Sequence, residues 1–114
     1  MTSYKTGIFS ELLACIYLRL HGFRILKRRF VTGRYTGRAE IDIIAKRDNL
    51  ILFIEVKHRK NLITGLDAVT KKQSIRLRNA AESYLAKIKW NGDARFDIIV
   101  ITPPLKIKWI KEAF

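Results

Sequence analysis

The 114-residue sequence is poor in the residues that build disulfides and zinc sites. It contains one cysteine, Cys15, and two histidines. A single cysteine cannot form an intramolecular disulfide, and with two distant histidines it cannot complete the ligand set of a structural zinc site. Cys15 lies in a helical apolar pattern, so we expect it to be a small core residue. Folds that depend on internal disulfides or on a structural zinc ion are therefore excluded.

Long apolar segments are also lacking. No stretch is apolar enough to span a bilayer, and the first residues carry no hydrophobic signal region. We therefore expect no membrane partner and a cytoplasmic location. Apolar residues nonetheless make up 48% of the chain, which is typical of a globular protein. A chain of this length can bury one core but not two, so residues 1–114 are predicted to form a single domain.

Acidic residues are scarce. The chain has 10 Asp and Glu against 23 Lys and Arg, which gives a net charge of +13. Solubility requires far less charge than this in a small domain, and such an excess indicates a polyanionic partner, most often nucleic acid. Ribosome-associated and membrane-surface proteins share this composition, so charge alone does not choose between these classes.

Residues 40–57 form the most informative stretch of the sequence. Two apolar, β-branched runs flank a short polar break, which predicts a β-hairpin. If Asp48 and Asn49 form a two-residue turn, the antiparallel register places Asp42 opposite Glu55. Alternation along the first strand puts Ile41 and Ile43 together on the other face from Asp42.

The charges of this hairpin need an explanation. Facing carboxylates at Asp42 and Glu55 repel each other, and a cation between them would remove the conflict. Lys57 lies two residues beyond Glu55 on the same face, within reach of the same site. A Glu-x-Lys at a strand end is usually a solvated edge. Buried charges are costly unless paired or metal-bound, however, so the complete pattern favours a functional site.

Hydrophobic periodicity places the remaining elements. We expect a first helix over residues 4–21 ended by Gly22, a strand over 23–30, a second helix over 71–89 capped by Thr70, a buried strand over 95–102, and an edge strand within 105–114. The first helix is expected to bury Ile8, Leu12, Cys15 or Ile16, and Leu20. The second is expected to bury Ile75, Leu77 or Arg78, Ala81, Tyr84 or Leu85, and Ile88.

Basic and aromatic side chains near the hairpin are candidates for contacting nucleic acid. Residues 31–38 read as a loop rich in Arg and Gly that leads into the acidic strand, and residues 61–68 read as a second loop. The opposing interpretation is a solvated basic surface. The candidates are Arg28, Arg29, Arg34, Tyr35, Arg38, Arg59, Lys60, Lys72, Gln73 and Arg76.

At these residues the chain resembles a known group. Asp42 followed by Glu55-Val56-Lys57 looks like the PD-(D/E)xK core of restriction-endonuclease-like nucleases, and Glu11 matches the extra acidic residue of archaeal Holliday-junction resolvases. The overall pattern is similar to the YraN-like family of small bacterial proteins. It spans nearly the whole chain, from Gly7 through Arg95-Phe96-Asp97 to Phe114. Ala39 departs from it, because the family usually has glycine there, and the proline of the superfamily name is also missing.

The resemblance implies an α/β fold with a restriction-endonuclease-like αβββαβ core, a mixed central sheet flanked by helices. It implies Mg²⁺ or Mn²⁺ held by Asp42, Glu55 and the Val56 carbonyl. Lys57 would orient or deprotonate the attacking water or hold the phosphate, and Glu11 would support a second metal or order the water shell. In related nucleases a Lys or Gln at the start of the second helix positions the phosphate, which points to Lys72 and Gln73.

The expected activity is metal-dependent endonucleolytic cleavage of DNA, with branched or junction DNA among the candidate substrates. One alternative is a catalytically inactive nucleic-acid-binding protein that acts in DNA repair, recombination or uptake. Another is an RNA-directed processing protein. A resolvase acts on two strands and normally needs a two-fold dimer, so a homodimer is a further expectation, with residues 109–114 and an exposed sheet edge as candidate surfaces.

Overall fold

The computed structural model describes residues 3–32, 39–59, 70–102 and 105–114, with side chains from residue 7 onward. Within these ranges the chain forms two helices and five strands. In chain order they are α1 (Ser3–Leu20), β1 (Arg24–Thr32), β2 (Ala39–Arg47), β3 (Leu50–His58), α2 (Lys71–Lys87), β4 (Asp93–Thr102) and β5 (Lys106–Ile110).

The five strands form one mixed sheet in the order β1-β2-β3-β4-β5. Strands β3 and β4 are parallel, and the other neighbouring pairs are antiparallel. Alternate residues of β3 pack under different helices: Leu52 and Ile54 under α1, Ile51 and Phe53 under α2. The predicted α/β fold is therefore confirmed: the restriction-endonuclease-like αβββαβ core runs from α1 to β4, and β5 is added at the edge.

The β2–β3 hairpin has the predicted turn. Asp48 and Asn49 link the strands, and Asp48 takes a positive φ of 52°, which aspartate tolerates better than most residues. Cα pairs run from Arg47 with Leu50 to Ile43 with Ile54. This register is the one expected from a two-residue turn.

Strand β4 is buried on both faces, as the nearly continuous apolar run predicts. Every residue of 97–101 is buried.

The tail after β5 packs onto the same molecule. Phe114 lies against Phe96 with ring centroids 5.2 Å apart, and Trp109 lies against Phe23 at 5.9 Å. Residues 109–114 thus contact the rest of the same molecule, and their role as a dimer surface stays a prediction.

The buried face of α1 differs from the prediction. Ala14, Cys15 and Leu18 are buried, so Cys15 is the core residue expected. Leu12 and Leu20, which were expected to be buried, are instead 44% and 79% exposed, and Ile16, the alternative to Cys15, is 52% exposed. The reason is that Ala14, Cys15 and Leu18 form the face of α1 that packs on the sheet, and Leu12, Ile16 and Leu20 lie outside that face.

The second helix shows a smaller difference. Leu77, Ala80, Ala81 and Tyr84 are buried, as largely expected, whereas Ile75 and Ile88 are exposed. The helix begins as predicted, because the Thr70 side chain accepts a hydrogen bond from the Gln73 N–H at 3.1 Å. The contact of this helix with the sheet combines two large side chains, Leu77 and Tyr84, with the small Ala80 and Ala81.

The first helix also ends as predicted. Gly22 has a φ of +86°, a conformation that favours glycine. The Gly22 N–H donates to the Arg19 carbonyl and the Phe23 N–H to the Leu18 carbonyl, both at 3.0 Å. This is the bonding pattern of a Schellman cap.

The first strand then runs to Thr32, so residues 31 and 32 are strand and not loop. The rest of 31–38, and the predicted loop at 61–68, lie outside the described residues.

Neither helix of the described ranges has both the length and the apolar character needed to cross a bilayer.

Candidate active site

Strands β2 and β3 bring Asp42 and Glu55 together. The β2–β3 pairing ends at Ile43 and Ile54, so Asp42 and Glu55 are the next residue along each strand, and both line the same cavity. The Val56 N–H donates to Asp42 Oδ2 at 2.8 Å, which ties the two strands at this point. The juxtaposition expected from the sequence is therefore present.

Glu55 is a buried carboxylate with little compensation. Its side chain is 6% exposed, and its nearest described cation is Lys57 Nζ, 3.6 Å from Oε2. The other oxygen, Oε1, has no hydrogen-bond partner among the described residues. Burial and then the charge of Asp42 raise the pKa of Glu55 to about 8, although Lys57 opposes the shift.

The pKa of Asp42 is also raised. Burial raises the pKa of Asp42 to about 6, the Val56 N–H opposes the shift, and the charge of Glu11 adds to it. The charge of Lys57 favours the ionised form of both carboxylates, but burial and their mutual repulsion outweigh it.

The sheet is distorted beside Asp42. The β1–β2 register shifts between Ile25 and Lys27 and is then constant to Thr32. Within this part Arg29 and Asp42 are not paired, and Arg29 has a φ of 54°. Ile41 packs under α2 while Ile43 packs under α1. The prediction that these two isoleucines share a face is therefore wrong, because the left-handed residue in β1 accompanies a break in the alternation.

Glu11 reaches this region from α1. Its Oε1 lies 3.2 Å from Arg29 Nε and 3.9 Å from Arg28 Nη2. The Glu11 side chain is 12% exposed, whereas those of Arg28 and Arg29 are 41% and 40% exposed. Because the charge of Glu11 raises the pKa of Asp42, this carboxylate belongs to the surroundings of the site. Its predicted role in supporting a metal stays a prediction.

A cavity of about 430 Å³ opens beside the two carboxylates. Asp42 and Glu55 line one part of it, and the first turns of α2 contribute predicted nucleic-acid contacts. The lining residues are Ala39, Glu40, Asp42, Glu55, Thr70, Lys72, Gln73, Arg76 and Leu77. Cations and carboxylates thus meet in one concave region, as a phosphate-cleaving site requires.

The other predicted nucleic-acid contacts have different surroundings. Arg28 and Arg29 are paired with Glu11. Arg59 is half-buried, and its guanidinium donates to the His58 carbonyl at 2.9 Å. Arg34, Tyr35, Arg38 and Lys60 lie outside the described residues.

The donor set fits a hard divalent cation. Within the described ranges, no three His, Cys, Asp or Glu side chains form a preformed cluster for a metal ion. Asp42 and Glu55 nevertheless offer carboxylate oxygens, the ligands preferred by Mg²⁺, and the buried Glu55 Oε1 lacks a partner. A cation would relieve the repulsion between the two groups. The third acidic group, Glu11, is held by the two arginines.

Sequence reasoning did not identify the importance of Asp97. This residue is 0% exposed and accepts two hydrogen bonds from the Arg95 guanidinium, both at 2.9 Å. Trp109 Nε1 donates to it at 2.7 Å and the Glu112 N–H at 3.0 Å. Asp97 therefore anchors the C-terminal segment to β4. The available signal was an Arg and an Asp two residues apart on an otherwise apolar strand.

The mixed sheet, its two helices and the Asp42, Glu55 and Lys57 arrangement define a restriction-endonuclease-like protein of the PD-(D/E)xK type. The chain belongs to the YraN family, described as "Uncharacterised protein family UPF0102", whose model matches residues 10–101.

Individual relatives cover most of the chain. A UPF0102 protein of Rhodopseudomonas palustris is 38% identical over 116 residues, covering 100% of this chain and 86% of the relative. One of Bartonella bacilliformis is 44% identical over 103 residues, covering 89% and 81%. A third, of Cytophaga hutchinsonii, is 36% identical over 104 residues, covering 90% and 88%. Their names assign no activity.

Proposed function

We propose that this chain is a metal-dependent endonuclease that hydrolyses phosphodiester bonds in DNA. One observation carries the proposal: Asp42 and Glu55 are buried side by side with raised pKa values and no adequate counterion. A fold does not retain such a costly pair for stability, since replacing one member with an uncharged residue would remove the repulsion. The arrangement is useful when a cation binds there.

Each residue of the candidate site has its own proposed role. Asp42, Glu55 and the Val56 carbonyl would hold Mg²⁺ or Mn²⁺. When bound, the metal ion lowers the pKa of water and stabilises negative charge on the phosphate. Lys57, whose ammonium lies 3.6 Å from Glu55, would orient the attacking water or hold the phosphate. Its charge also opposes the rise in the pKa of Glu55, so it favours the ionised carboxylate that a metal ion needs.

The start of α2 would hold the substrate backbone. Lys72 and Arg76 lie four residues apart, so they share one face of the helix, and both line the cavity with Asp42 and Glu55. Gln73 lies beside them and adds amide donors. Contacts of this kind fix the position of a phosphate without reading the sequence of the nucleic acid.

A cleavage panel tests the proposal. Supercoiled plasmid, single-stranded DNA, a flap, a four-way junction and a structured RNA are each incubated with Mg²⁺, Mn²⁺ or EDTA. We expect a DNA product from the wild-type protein with metal and none with EDTA. We expect no product from Glu55→Gln, and full activity from Glu82→Gln, which makes the same change at an exposed position of α2.

Other results of this panel would change the proposed function or the proposed site. Tight binding that EDTA does not alter, with no product under any metal, would favour the nucleic-acid-binding alternative. Cleavage confined to structured RNA would favour the RNA-processing alternative. Equal cleavage by wild type and Glu55→Gln would overturn the assigned site.

A further inference from the structure

The cavity beside the candidate metal site has an acidic side and a basic side. Glu40, Asp42 and Glu55, from strands β2 and β3, line the acidic side. Lys72 and Arg76, from the first turns of α2, line the basic side. Of the three carboxylates, only that of Glu40 has no role in the proposed function, so its place in the cavity needs an explanation.

Glu40 is the exposed member of the acidic side. Glu55 is 4% exposed, whereas Glu40 is open to solvent. Glu40 lies two residues before Asp42 on β2, an advance of about 7 Å along a strand. Burial contributes most to the raised pKa of Asp42, and the charges of Glu11 and then of Glu40 add to it. The Glu40 carboxylate is therefore close enough for its charge to act at Asp42.

Glu40 has no cation of its own within the part of the chain that the structure describes. None of the ion pairs found there involves it, although Lys and Arg outnumber Asp and Glu by 23 to 10 in the whole sequence. Two of those cations line the same cavity. A carboxylate that stays unpaired in such a basic chain is available to a ligand that binds in the cavity.

An independent observation points to a cation as that ligand. Glu55 Oε1 is buried without a hydrogen-bond partner among the described residues, and Glu55 lines the cavity. Mg²⁺ is usually bound by one or two carboxylates and keeps several of its waters. Those waters donate hydrogen bonds, and carboxylates that accept them support the metal site. An exposed carboxylate beside a covered pair suits this second kind of contact.

We propose that Glu40 supports the divalent cation from the open side of the cavity by accepting hydrogen bonds from metal-bound water, while Asp42 and Glu55 bind the ion directly. This inference rests on the proposed function, because it adds a residue to the same metal site. Glu40 is then a positioning residue for metal-bound water, and it raises the affinity for the ion before nucleic acid binds.

Metal binding by the full chain without nucleic acid tests this role. Mn²⁺ is titrated into the metal-free protein, and isothermal titration calorimetry gives the dissociation constant. We expect Glu40→Gln to bind Mn²⁺ about 10-fold more weakly than wild type, the usual lower limit for losing a group that supports metal ligands. Glu55→Gln should lose most of the binding. Glu82→Gln, with the same loss of charge at an exposed position of α2, should bind as wild type does.

Salt separates a contact with metal-bound water from a general effect of charge. At 1 M salt the Debye length falls to about 3 Å, so a carboxylate that acts only through its long-range field loses its influence. We expect the ratio of the Glu40→Gln and wild-type dissociation constants to stay at about 10 in 1 M salt. A ratio that falls to about 1 in 1 M salt would overturn the inference.

The remaining outcomes distinguish this inference from the proposed function. If Glu40→Gln binds Mn²⁺ as tightly as wild type while Glu55→Gln does not, the inference is overturned and the proposed function stands. Absence of Mn²⁺ binding by wild type would remove the proposed metal site and this inference with it. Weakened binding by Glu40→Gln, together with no cleavage of any substrate, would support the role of Glu40 and remove the proposed function.

Discussion

Asp42 and Glu55 are costly residues for a folded chain to bury. Each has a pKa raised first by burial, and Glu55 has an oxygen without a described partner. Asp42 accepts a hydrogen bond from the Val56 N–H and Glu55 pairs with Lys57, yet burial still raises the pKa of both groups. A bound cation would satisfy the unpartnered Glu55 Oε1 and remove the repulsion. The cost is then confined to the metal-free protein.

This cost predicts a pH-dependent stability in EDTA. Because the pKa of Glu55 rises from 4.5 to about 8 on folding, the folded state binds a proton that the unfolded state releases. The stabilisation is complete below about pH 4.5 and is lost as the pH rises to about 8. In Glu55→Gln this contribution is absent. We expect the variant to exceed wild type by about 1–3 kcal/mol at pH 9, measured by urea unfolding.

Metal provides the control for this experiment. Added Mg²⁺ should raise the stability of the wild-type protein at pH 8, because a ligand that binds only the folded state stabilises it. It should leave Glu55→Gln nearly unchanged. Parallel stability curves for the two proteins between pH 5 and 9 would contradict the account of Glu55.

Asp97 is also buried and acidic, but its surroundings are different. It accepts four hydrogen bonds, from Arg95, Trp109 and the Glu112 N–H. Asp97→Asn should cost about 3–5 kcal/mol, because it leaves the Arg95 charge unpaired and turns an N–H₂ group toward donors. Asp93→Asn, the same change at an exposed position of β4, should stay within about 0.5 kcal/mol. Equal free energies of unfolding for the two variants would contradict the anchoring role.

Among the elements, the hairpin was predictable because its signals are local. The Asp48-Asn49 turn fixes the register, and the register fixes which side chains face each other. The αβββαβ order and both helix-end signals, at Gly22 and Thr70, also followed from local patterns. Asp42 and Glu55 could therefore be brought together from the sequence alone.

Other features depend on tertiary contacts that leave little trace in the sequence. The positive φ of Arg29 and the missing pair between Arg29 and Asp42 have no residue signal, since neither glycine nor asparagine is present there. The pairing of Glu11 with Arg28 and Arg29 joins residues far apart in sequence. The buried face of α1 was misassigned because the pattern of large apolar residues favoured Leu12 and Leu20, whereas Ala14, Cys15 and Leu18 face the sheet.

The corrected face of α1 leads to a direct prediction. Leu18 is 0% exposed and Leu20 is 79% exposed. Leu18→Ala should lower the free energy of unfolding by about 2–5 kcal/mol, because it removes buried contacts and leaves a cavity. Leu20→Ala should change it by less than about 0.5 kcal/mol. Chemical denaturation measures the free energy of unfolding of both variants. A larger loss in Leu20→Ala than in Leu18→Ala would restore the sequence-based assignment of the buried face of α1.

At the scale of the whole molecule, the net charge of +13 predicts that salt controls nucleic-acid binding. Each phosphate contact releases counterions, so the slope of log affinity against log salt measures the number of contacts. Arg76→Gln should reduce the magnitude of this slope by about 0.9 on duplex DNA, since Arg76 lines the cavity. Arg24→Gln, at the far end of β1, serves as the control. Equal slopes for the two variants would remove Arg76 from the binding surface.

The net charge of the chain also sets the two buried carboxylates, Asp42 and Glu55, apart from its other acidic residues. With cations in large excess, exposed acids are readily compensated, whereas Asp42 and Glu55 are buried together and have Lys57 as their near cation. The molecule thus combines a surface suited to a polyanion with one acidic recess.

The most direct test is the single-turnover cleavage rate of four matched variants on the best DNA substrate in Mg²⁺. Asp42→Asn and Glu55→Gln should each be slower than wild type by about 100-fold or more, a loss of about 2.7 kcal/mol or more in transition-state stabilisation. Asp93→Asn and Glu82→Gln, which remove the same charges at exposed positions, should cut at the wild-type rate. Rates that are the same for all four variants would contradict the assignment of Asp42 and Glu55 as the catalytic metal site.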